Sequence, residues 1–468
     1  MAAIYRVGPD GPVYRRGVPW RRRLRLPASI AHPVRLLPLA FLSLIVLGTL
    51  MLLMPFAREG ERDPSFMDAF FTATSAVTVT GLATVDTGSY WSPIGHAIIL
   101  VLVEIGGIGI IAMTTVLGLF VGGRLGLRTR LAAQTDMHVV SLGDVGPLFK
   151  RVAFTMLVFQ GVTAVVLTLR YSTHYFDSFA YSLWHGVFDA VMAFNNAGFS
   201  LHADSLTGYA GDYAVILPIS VAVFAGGVGF PVLAELYQEW RSPRTWTIHT
   251  RLTVWGSLFL LVVASTLFVA VEWNNPATIG GLSPIDKLVT GVEGGIMPRS
   301  GGFNSFDWGQ VEPVTLFTAV IMMFIGGGSA STAGGIKVTT FLLLGYVILA
   351  ELRGEEQVRI GSRAINSRTI RTALSIALIA VGLVTAGAML LMMFSAVTFA
   401  DGLFESASAF GTVGLSTGLT PDLNLPGRLV LIVLMFIGRV GTITAASAFV
   451  LRRRQSRYHL PEEQPIIG

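Results

Sequence analysis

The sequence predicts an all-α membrane protein in which four similar units follow one another in a single chain. Three observations indicate this fold. The chain of 468 residues is 52% hydrophobic and 13% charged, and its mean hydropathy is +0.65. Eight apolar runs approach or exceed the roughly 20 residues that cross a bilayer as a helix. Short motifs that contain glycine recur between these runs, which is typical of internal repeats.

The eight predicted transmembrane helices follow from runs that lack charged residues or nearly lack them. These runs cover residues 36–57, 105–123, 152–169, 213–234, 252–271, 313–336, 372–400 and 429–451. Glu104 borders the second run, and Arg439 interrupts the last one. The chain contains no cysteine, so disulfides, thiolate metal sites and cysteine nucleophiles are excluded.

The distribution of Lys and Arg residues predicts the orientation of the chain. When alternate loops are taken as internal, 25 of the 33 basic residues lie at the two termini and in the loops 124–151, 241–251 and 353–371. Six lie on the opposite side, namely Arg58, Arg62, Arg170, Lys287, Arg299 and Arg428. Because cytoplasmic loops of membrane proteins are rich in Lys and Arg, both termini are expected in the cytoplasm. The Arg-rich segment 1–33 is expected to contact anionic lipid and not nucleic acid.

Each odd-numbered predicted helix is followed by a stretch too short to cross the membrane, which ends in glycine and a large apolar residue. The four motifs are AVTVTGL, AFNNAGF, MPRSGGF and AFGTVGL, and their glycines are Gly81, Gly198, Gly302 and Gly414. These glycines are 117, 104 and 112 residues apart, and a short helix of similar length is expected before each one. The stretches therefore predict four re-entrant turns between transmembrane helices.

A second glycine motif follows each turn at a similar distance. IGGIG, AGGVG, IGGGS and IGRVG have their first paired glycine 25, 28, 24 and 24 residues after the turn glycine. Glycines that allow close helix packing would explain each motif alone, but not the constant distance. The chain is therefore divided into a cytoplasmic N-terminal segment (1–33), four units (34–124, 125–242, 243–352 and 353–454) and a cytoplasmic C-terminal tail (455–468).

Physical constraints on the four turns predict a central pore with pseudo-fourfold symmetry. Non-helical backbone in the hydrocarbon layer must be buried in protein or line water, since an unpaired peptide group in lipid is strongly destabilising. Four turns around one axis form a ring whose carbonyl oxygens can replace the water around a monovalent cation. The short helices point the negative ends of their dipoles toward the same centre, which also favours a cation.

The motifs VTVTGL, FNNAGFS, PRSGGFN and FGTVGLS, with GGGSASTAGGIK and FIGRVG, resemble those of the KtrB/TrkH superfamily of bacterial potassium transporters. The resemblance covers residues 34–468 and is closer to the KtrB branch, which has eight spans. It implies potassium uptake across the bacterial cytoplasmic membrane through a filter of backbone carbonyls. The implied filter residues are Thr78, Val79, Thr80, Gly81, Asn195, Asn196, Ala197, Gly198, Ser300, Gly301, Gly302, Gly411, Thr412, Val413 and Gly414.

The sixth span contains GGGSASTAGGIK, which predicts a break in the helix. A continuous helix would lose roughly 1 kcal/mol for each glycine relative to alanine. The resemblance implies that residues 326–335 form an intramembrane loop that obstructs the pore beneath the filter. The expected gate residues are Gly326, Gly327, Gly328, Ser329, Ser331, Thr332, Gly334, Gly335, Lys337 and Arg439. The alternative is a kinked helix that packs closely and has no role in gating.

Arg439 occupies the position at which the other three units have Gly107, Gly227 and Gly327. An arginine that faces lipid at mid-membrane costs at least ~2.5 kcal/mol, so Arg439 is expected to face the bundle interior. There its charge would repel potassium and bind loop carbonyls, which lowers leak. The alternative is a structural tie between helices. Lys337 is expected to snorkel toward the cytoplasm, with a role in balancing loop dipoles as the alternative.

Four acidic residues, Asp68, Asp189, Glu293 and Glu405, precede the turns on the outer side. They are interpreted either as an acidic mouth that concentrates cations or as solvated loop charge. Neither histidine spacing nor paired carboxylates within the spans indicate a metal centre or a catalytic set. An enzyme is therefore not expected. No cofactor is expected either, and the resemblance implies that potassium is the substrate.

The alternative function is an ion-coupled secondary transporter of a small solute, since such carriers also place irregular backbone at mid-membrane. They usually contain two repeats, often inverted, whereas this chain shows four in one orientation. The resemblance also implies a homodimer in the lipid membrane. It further implies a cytosolic nucleotide-binding regulatory ring of the KtrA type, because the short basic loops offer no such domain.

Overall fold

The structure is a computed structural model that describes residues 33–60, 65–122 and 145–441. Within these ranges the chain is helical apart from turns, loops and one two-stranded hairpin. The Arg-rich segment, most of the loop 124–151, the end of the eighth predicted span and the C-terminal tail lie outside the described residues. The predictions made for those parts stay predictions.

The described α-helices range from 4 to 30 residues in length. They are α1 (Pro33–Leu52), α2 (Phe66–Thr78), α3 (Thr87–Tyr90), α4 (Pro93–Gly122), α5 (Val145–His174), α6 (Phe179–Asn195), α7 (Tyr213–Val228), α8 (Phe230–Glu239), α9 (Ile248–Glu272), α10 (Pro284–Ile296), α11 (Pro313–Phe324), α12 (Val338–Leu352), α13 (Ser367–Phe394), α14 (Phe399–Gly411) and α15 (Leu425–Phe436). A π-helix follows at Ile437–Gly441. The antiparallel strands β1 (Arg359–Ile360) and β2 (Arg363–Ala364) form the hairpin between α12 and α13.

The long helices identify an integral membrane protein. By length and composition, three segments could each cross a membrane, namely Lys150–His174 of α5, α9 and α13. The bent pair α7 and α8 would be a fourth, and further apolar helices of 10–17 residues include α11 and α12. Large apolar side chains on the outward face of α5, such as Phe154 and Val162, are exposed as lipid contacts would be. The number of eight spans stays a prediction.

The fourth predicted span is not one straight helix. The sequence predicts a continuous span over 213–234, but α7 and α8 meet at an angle of 102°. Gly229 lies between them with φ 99° and ψ 146°, a backbone conformation open mainly to glycine. Pro231, near the start of α8, is compatible with a new helix there because its missing N–H has no helical partner at that position.

Four short helices, α2, α6, α10 and α14, carry the predicted turns at their C-terminal ends. Each begins with a hydroxyl side chain that accepts a hydrogen bond from a backbone N–H three residues later, and these caps are Ser65, Ser178, Ser283 and Thr398. Such caps satisfy donors that have no partner within the helix. In each unit, a new helix therefore begins 15 to 19 residues before the turn glycine.

The short helices pack in a closed order. In each unit, the helix that follows the turn contacts the short helix of the next unit, so that α4 packs on α6, α7 on α10, and α11 on α14. The last pair closes the circle, because α15 packs on α2. All four turns are thereby directed into the interior of the bundle.

Candidate functional site

The four turns have the same backbone pattern. In each turn, the glycine and the residue two positions before it have positive φ. The pairs are Val79 and Gly81 (57° and 94°), Asn196 and Gly198 (61° and 63°), Ser300 and Gly302 (77° and 78°), and Thr412 and Gly414 (46° and 94°). A left-handed conformation is uncommon outside glycine, and it is strained for β-branched residues such as Val79 and Thr412. Strain of this kind persists where the surrounding structure holds it, often at functional sites.

The turn glycines contact neighbouring turns so closely that no side chain would fit. A Cβ atom built on Gly81 would lie 2.1 Å from the Ala197 carbonyl oxygen, and one on Gly198 would lie 2.7 Å from Gly302 Cα. A Cβ atom on Gly302 would lie 2.4 Å from the Val413 oxygen, and one on Gly414 would lie 2.3 Å from the Thr80 oxygen. The first turn therefore touches the second, the second the third, the third the fourth, and the fourth the first.

The predicted filter residues are brought together, and all except the partly exposed Gly414 are buried. Hydroxyl groups hold the backbone of the first turn, because Thr78 Oγ1 lies 2.8 Å from Thr80 Oγ1 and Ser75 Oγ accepts from the Gly81 N–H at 3.0 Å. Between the third and fourth turns, Ser300 Oγ donates to the Thr412 carbonyl oxygen at 2.7 Å. The ring is therefore fixed by side chains as well as by backbone packing.

The structure shows why the second glycine motif follows each turn at a similar distance. In three units its first glycine packs on the carbonyl of the residue four positions before the turn glycine. A Cβ atom on Gly106 would lie 2.3 Å from Val77 O, one on Gly226 1.9 Å from Phe194 O, and one on Gly438 2.0 Å from Phe410 O. Close packing is thus the reason for the spacing. In the third unit, a Cβ atom on Gly326 would instead lie 1.9 Å from Gly334 O, within the segment 326–335.

The predicted break in the sixth span is confirmed, since α11 ends at Phe324 and α12 begins at Val338. The ends of the break are joined by Gly326 N, which donates to Ile336 O at 2.8 Å, and by Ile336 N, which donates to Phe324 O at 3.1 Å. Residues 331–336 are buried. The segment 326–335, called the intramembrane loop below, is therefore a compact non-helical insertion in the bundle interior.

The intramembrane loop contacts three of the four turns. Thr332 Oγ1 donates to Asn196 Oδ1 of the second turn at 3.1 Å. Gly334 N donates to Ser300 Oγ of the third turn at 3.2 Å, and a Cβ atom on Gly334 would lie 2.1 Å from Thr412 Oγ1 of the fourth. The backbone of the loop also pairs with the end of α7, where Gly328 N donates to Gly227 O at 2.8 Å. The loop therefore lies directly against the ring.

Two basic side chains bind carbonyls in the second half of the intramembrane loop. Arg439 lies in the π-helix, is 2% exposed, and donates through Nη1 to the Thr332 carbonyl oxygen. The interior position predicted for Arg439 is therefore found. Lys337 Nζ donates to the Ala333 carbonyl oxygen at 2.6 Å, which matches the alternative role at the loop and not the expected snorkelling. Both cations thus neutralise carbonyl dipoles of the same loop.

Arg299 is not on the outer surface, where the sequence places it. It is 8% exposed and donates to Ser257 O at 3.1 Å, Ser257 Oγ at 3.2 Å and Gly326 O at 3.4 Å. The prediction is wrong because a short re-entrant helix carries the chain back into the protein before Arg299 is reached. Arg299 directly precedes Ser300, a predicted filter residue, and this neighbour was the sequence signal that Arg299 is buried. Sequence reasoning missed it.

The acidic residues before the turns form neither a charged mouth nor a solvated surface. Asp189, Glu293 and Glu405 are fully buried, and each lies nine residues before its turn glycine. Glu293 accepts from Ser305 N at 3.1 Å and from the Ser305 hydroxyl. The fourth, Asp68, is partly exposed and pairs with Arg428 at 2.8 Å. Glu293 thus ties the chain after its turn to the short helix before it.

Glu405 is expected to stabilise the fourth turn, because it binds the chain that follows this turn as Glu293 does for the third. Its carboxylate accepts from the Ser416 hydroxyl, from Thr417 N at 3.2 Å and from Thr420 Oγ1 at 2.7 Å. Glu405→Ala removes the acceptor of all three donors, and a buried donor such as Thr420 that is left unpaired costs about 1–3 kcal/mol. We expect a lower midpoint of thermal unfolding in detergent. Glu405→Gln, which keeps an acceptor, should lie between Glu405→Ala and the parent.

Glu355→Ala, which truncates an exposed carboxylate between α12 and β1, is the control for the loss of a charge. It should leave the unfolding midpoint unchanged. Equal behaviour of Glu405→Ala and Glu355→Ala would show that the buried carboxylate does not support the turn.

Glu104 is a further polar group whose role could not be predicted from the sequence. Its Oε2 accepts from Asn195 Nδ2 of the second turn at 2.6 Å and from Gln160 Nε2 of α5 at 2.9 Å. Neither amide could be recognised as its partner from the sequence, since Asn195 lies 91 positions away. Glu104 therefore joins the first unit to the second beside the ring.

Non-helical turns that meet in the interior of an α-helical integral membrane protein are typical of channels and transporters for ions or small solutes. Residues 16–459 match the family model described as TrkH, cation transport protein. The chain belongs to the TrkH family.

Similar proteins include curated relatives that match over nearly their whole length. Ktr system potassium uptake protein B of Bacillus subtilis (strain 168) is 36% identical over 436 residues, or 93% of this chain and 97% of that protein. Potassium/sodium uptake protein NtpJ of Enterococcus hirae is 32% identical over 442 residues, with 93% and 97% covered. The crystal structure of the potassium transporter TrkH from Vibrio parahaemolyticus has a TM-score of 0.71 at 20% identity, covering 91% of this chain and 85% of that one. The last similarity concerns the fold alone.

Proposed function

We propose that the protein takes up potassium across the bacterial cytoplasmic membrane through a pseudo-fourfold pore formed by one chain of eight spans. The observation that carries this proposal is the closed order of contacts among Gly81, Gly198, Gly302 and Gly414. A ring of backbone at this position can supply the oxygen ligands of a dehydrated cation. The names of the relatives, which include potassium uptake proteins, support potassium as the ion.

The filter in this proposal is not symmetrical in its chemistry. The residues two positions before the turn glycines are Val79, Asn196, Ser300 and Thr412. The Thr412 carbonyl already accepts a hydrogen bond from Ser300, so its oxygen is a weaker ligand than its counterparts. A filter of this kind is expected to hold fewer good potassium sites than a filter of four identical turns.

The intramembrane loop acts as the gate in this proposal, and Arg439 holds it in place. The loop lies against three turns, and its contacts would have to break for ions to pass. Control of the loop is proposed to come from a cytosolic nucleotide-binding ring of the KtrA type that binds a homodimer of this chain. Relatives named as components of a Ktr system support a partner of that kind.

The proposed function is tested with purified protein in liposomes that contain potassium. Uptake of rubidium should be blocked by external potassium much more effectively than by external sodium. Sodium permeation as fast as that of potassium would contradict selective coordination by the ring. Uptake of an amino acid driven by an ion gradient, without rubidium flux, would instead indicate the secondary transporter.

Replacement of residues 326–335 by a shorter flexible linker should increase rubidium flux in the absence of the regulatory ring. The reason is that the loop fills the space beside the turns and its removal opens the path. Flux is measured at equal amounts of protein, with size-exclusion chromatography as a check on folding. Flux equal to that of the parent would show that the loop is not a barrier.

A further inference from the structure

Arg299 is a buried cation without a carboxylate partner among the described residues. Its hydrogen bonds go to the carbonyl and hydroxyl of Ser257 on α9 and to the Gly326 carbonyl, and its Nε has no partner. Removing a guanidinium from water is costly when the acceptors are neutral. A hydrophobic or neutral residue would fill this position at lower cost if it served packing alone.

The acceptors of Arg299 place it between α9 and the proposed gate. Ser257 belongs to α9, a helix long enough to cross the membrane, and Gly326 is the first residue of the intramembrane loop. Ser300, the next residue, is part of the third turn and accepts from Gly334 N near the other end of the loop. Arg299 and Ser300 therefore bind both ends of the loop.

Basic side chains bind the intramembrane loop at separate points. Arg299 contacts the carbonyl of Gly326 at the start of the loop, whereas Arg439 contacts that of Thr332 and Lys337 that of Ala333. Arg439 and Lys337 thus bind neighbouring carbonyls, and Arg299 alone binds the first one. A small cavity beside Arg299, lined by Val223, Gly227, Ser257, Ile296 and Gly327, is large enough for about one water molecule.

We infer that Arg299 is a positioning residue that latches the start of the intramembrane loop to α9 in the closed pore. This inference rests on the proposed gating function. Displacement of the loop breaks the bond to Gly326 but leaves the two bonds to Ser257, so the side chain stays in place for reclosure. Arg299 therefore sets how often the loop leaves the closed position, while the turns set which ion passes.

The absence of cysteine from the whole chain permits a direct test of loop position. Ser331 is 1% exposed, so a Ser331→Cys reporter should react slowly with a membrane-impermeant methanethiosulfonate reagent in the closed state. In the same background, Arg299→Gln is expected to raise the modification rate and the basal rubidium flux about threefold, because the bond to Gly326 is 3.4 Å long and weaker than a normal charge-assisted hydrogen bond. The ratio of potassium to sodium flux should not change.

Two further variants make the test specific. Arg299→Lys keeps the charge but cannot bind Ser257 and Gly326 as a fork does, so it should restore the slow rates in part. Arg170→Gln removes an arginine that pairs with Asp212 at 2.8 Å near the end of α5, and it should leave both rates unchanged.

The outcomes separate the latch from other roles. The inference is overturned if a folded Arg299→Gln protein shows the modification rate and the flux of the parent. It is also overturned if the flux rises but sodium and potassium then pass equally fast. If Arg299→Gln does not fold, Arg299→Lys decides, because rates identical to the parent would then refute the latch. Flux raised by Arg439→Ala but not by Arg299→Gln would leave the proposed function intact, whereas a parent without rubidium uptake would refute that function.

Discussion

Replacing Gly81 by alanine is expected to abolish potassium-selective uptake. The new Cβ atom would lie 2.1 Å from the Ala197 carbonyl oxygen and 2.9 Å from Gly198 Cα, and both atoms belong to the backbone of the next turn. The φ of 94° adds strain for any side chain. A non-glycine residue with left-handed backbone costs roughly 1–2 kcal/mol before any clash is counted. About 2 kcal/mol lost from ion binding corresponds to a factor of about 30 in affinity.

The effect of Gly81→Ala is measured as rubidium uptake into liposomes, with potassium and sodium as competitors. Gly161→Ala on α5 is the matched control, because a Cβ atom there would meet no atom within 4 Å and should leave uptake unchanged. If Gly81→Ala retained the potassium preference of the parent, the first turn would not belong to an ion-coordinating ring.

Replacing Arg439 by alanine is expected to increase basal flux by about tenfold or more. The substitution removes the bond to the Thr332 carbonyl and the positive charge beside the loop. A hydrogen bond from a charged donor contributes about 1.5–3 kcal/mol, and about 1.4 kcal/mol is a factor of ten in the closed population. The removal of a charge that repels potassium acts in the same direction.

Arg439→Lys separates the two contributions in rubidium flux measured without the regulatory ring. Lysine preserves the charge but not the planar geometry of the guanidinium, so its flux should lie between that of Arg439→Ala and the parent. A well-folded Arg439→Ala protein that transports nothing would point to a structural tie between helices and would contradict a role in restraining the loop.

The turns could be predicted from the sequence because their backbone depends on glycine. Positive φ and close approach at Gly81, Gly198, Gly302 and Gly414 exclude a side chain, and that requirement is visible as a recurring residue. The same holds for Gly106, Gly226 and Gly438, which pack on the last turn of a short helix. The loop was predictable because a helix rich in glycine is unstable at mid-membrane.

Other features could not be predicted because they depend on contacts between distant parts of the chain. Asp189, Glu293 and Glu405 were expected near water, since charge between apolar runs usually faces solvent, but the re-entrant helices bury them. Arg299 was assigned to the outer side for the same reason. The bend at Gly229 could not be predicted from charge because the run 213–234 contains no charged residue at the break, where only Gly229 and Pro231 indicate it.

The third unit differs from the other three in what its second glycine motif contacts. Gly326 packs on its own loop, while Gly106, Gly226 and Gly438 pack on short helices. If the four units form one pore, as proposed, a tetramer of identical chains would carry four copies of this loop, and the copies would compete for the same space. A single polypeptide can instead carry the loop in one unit without changing the other three.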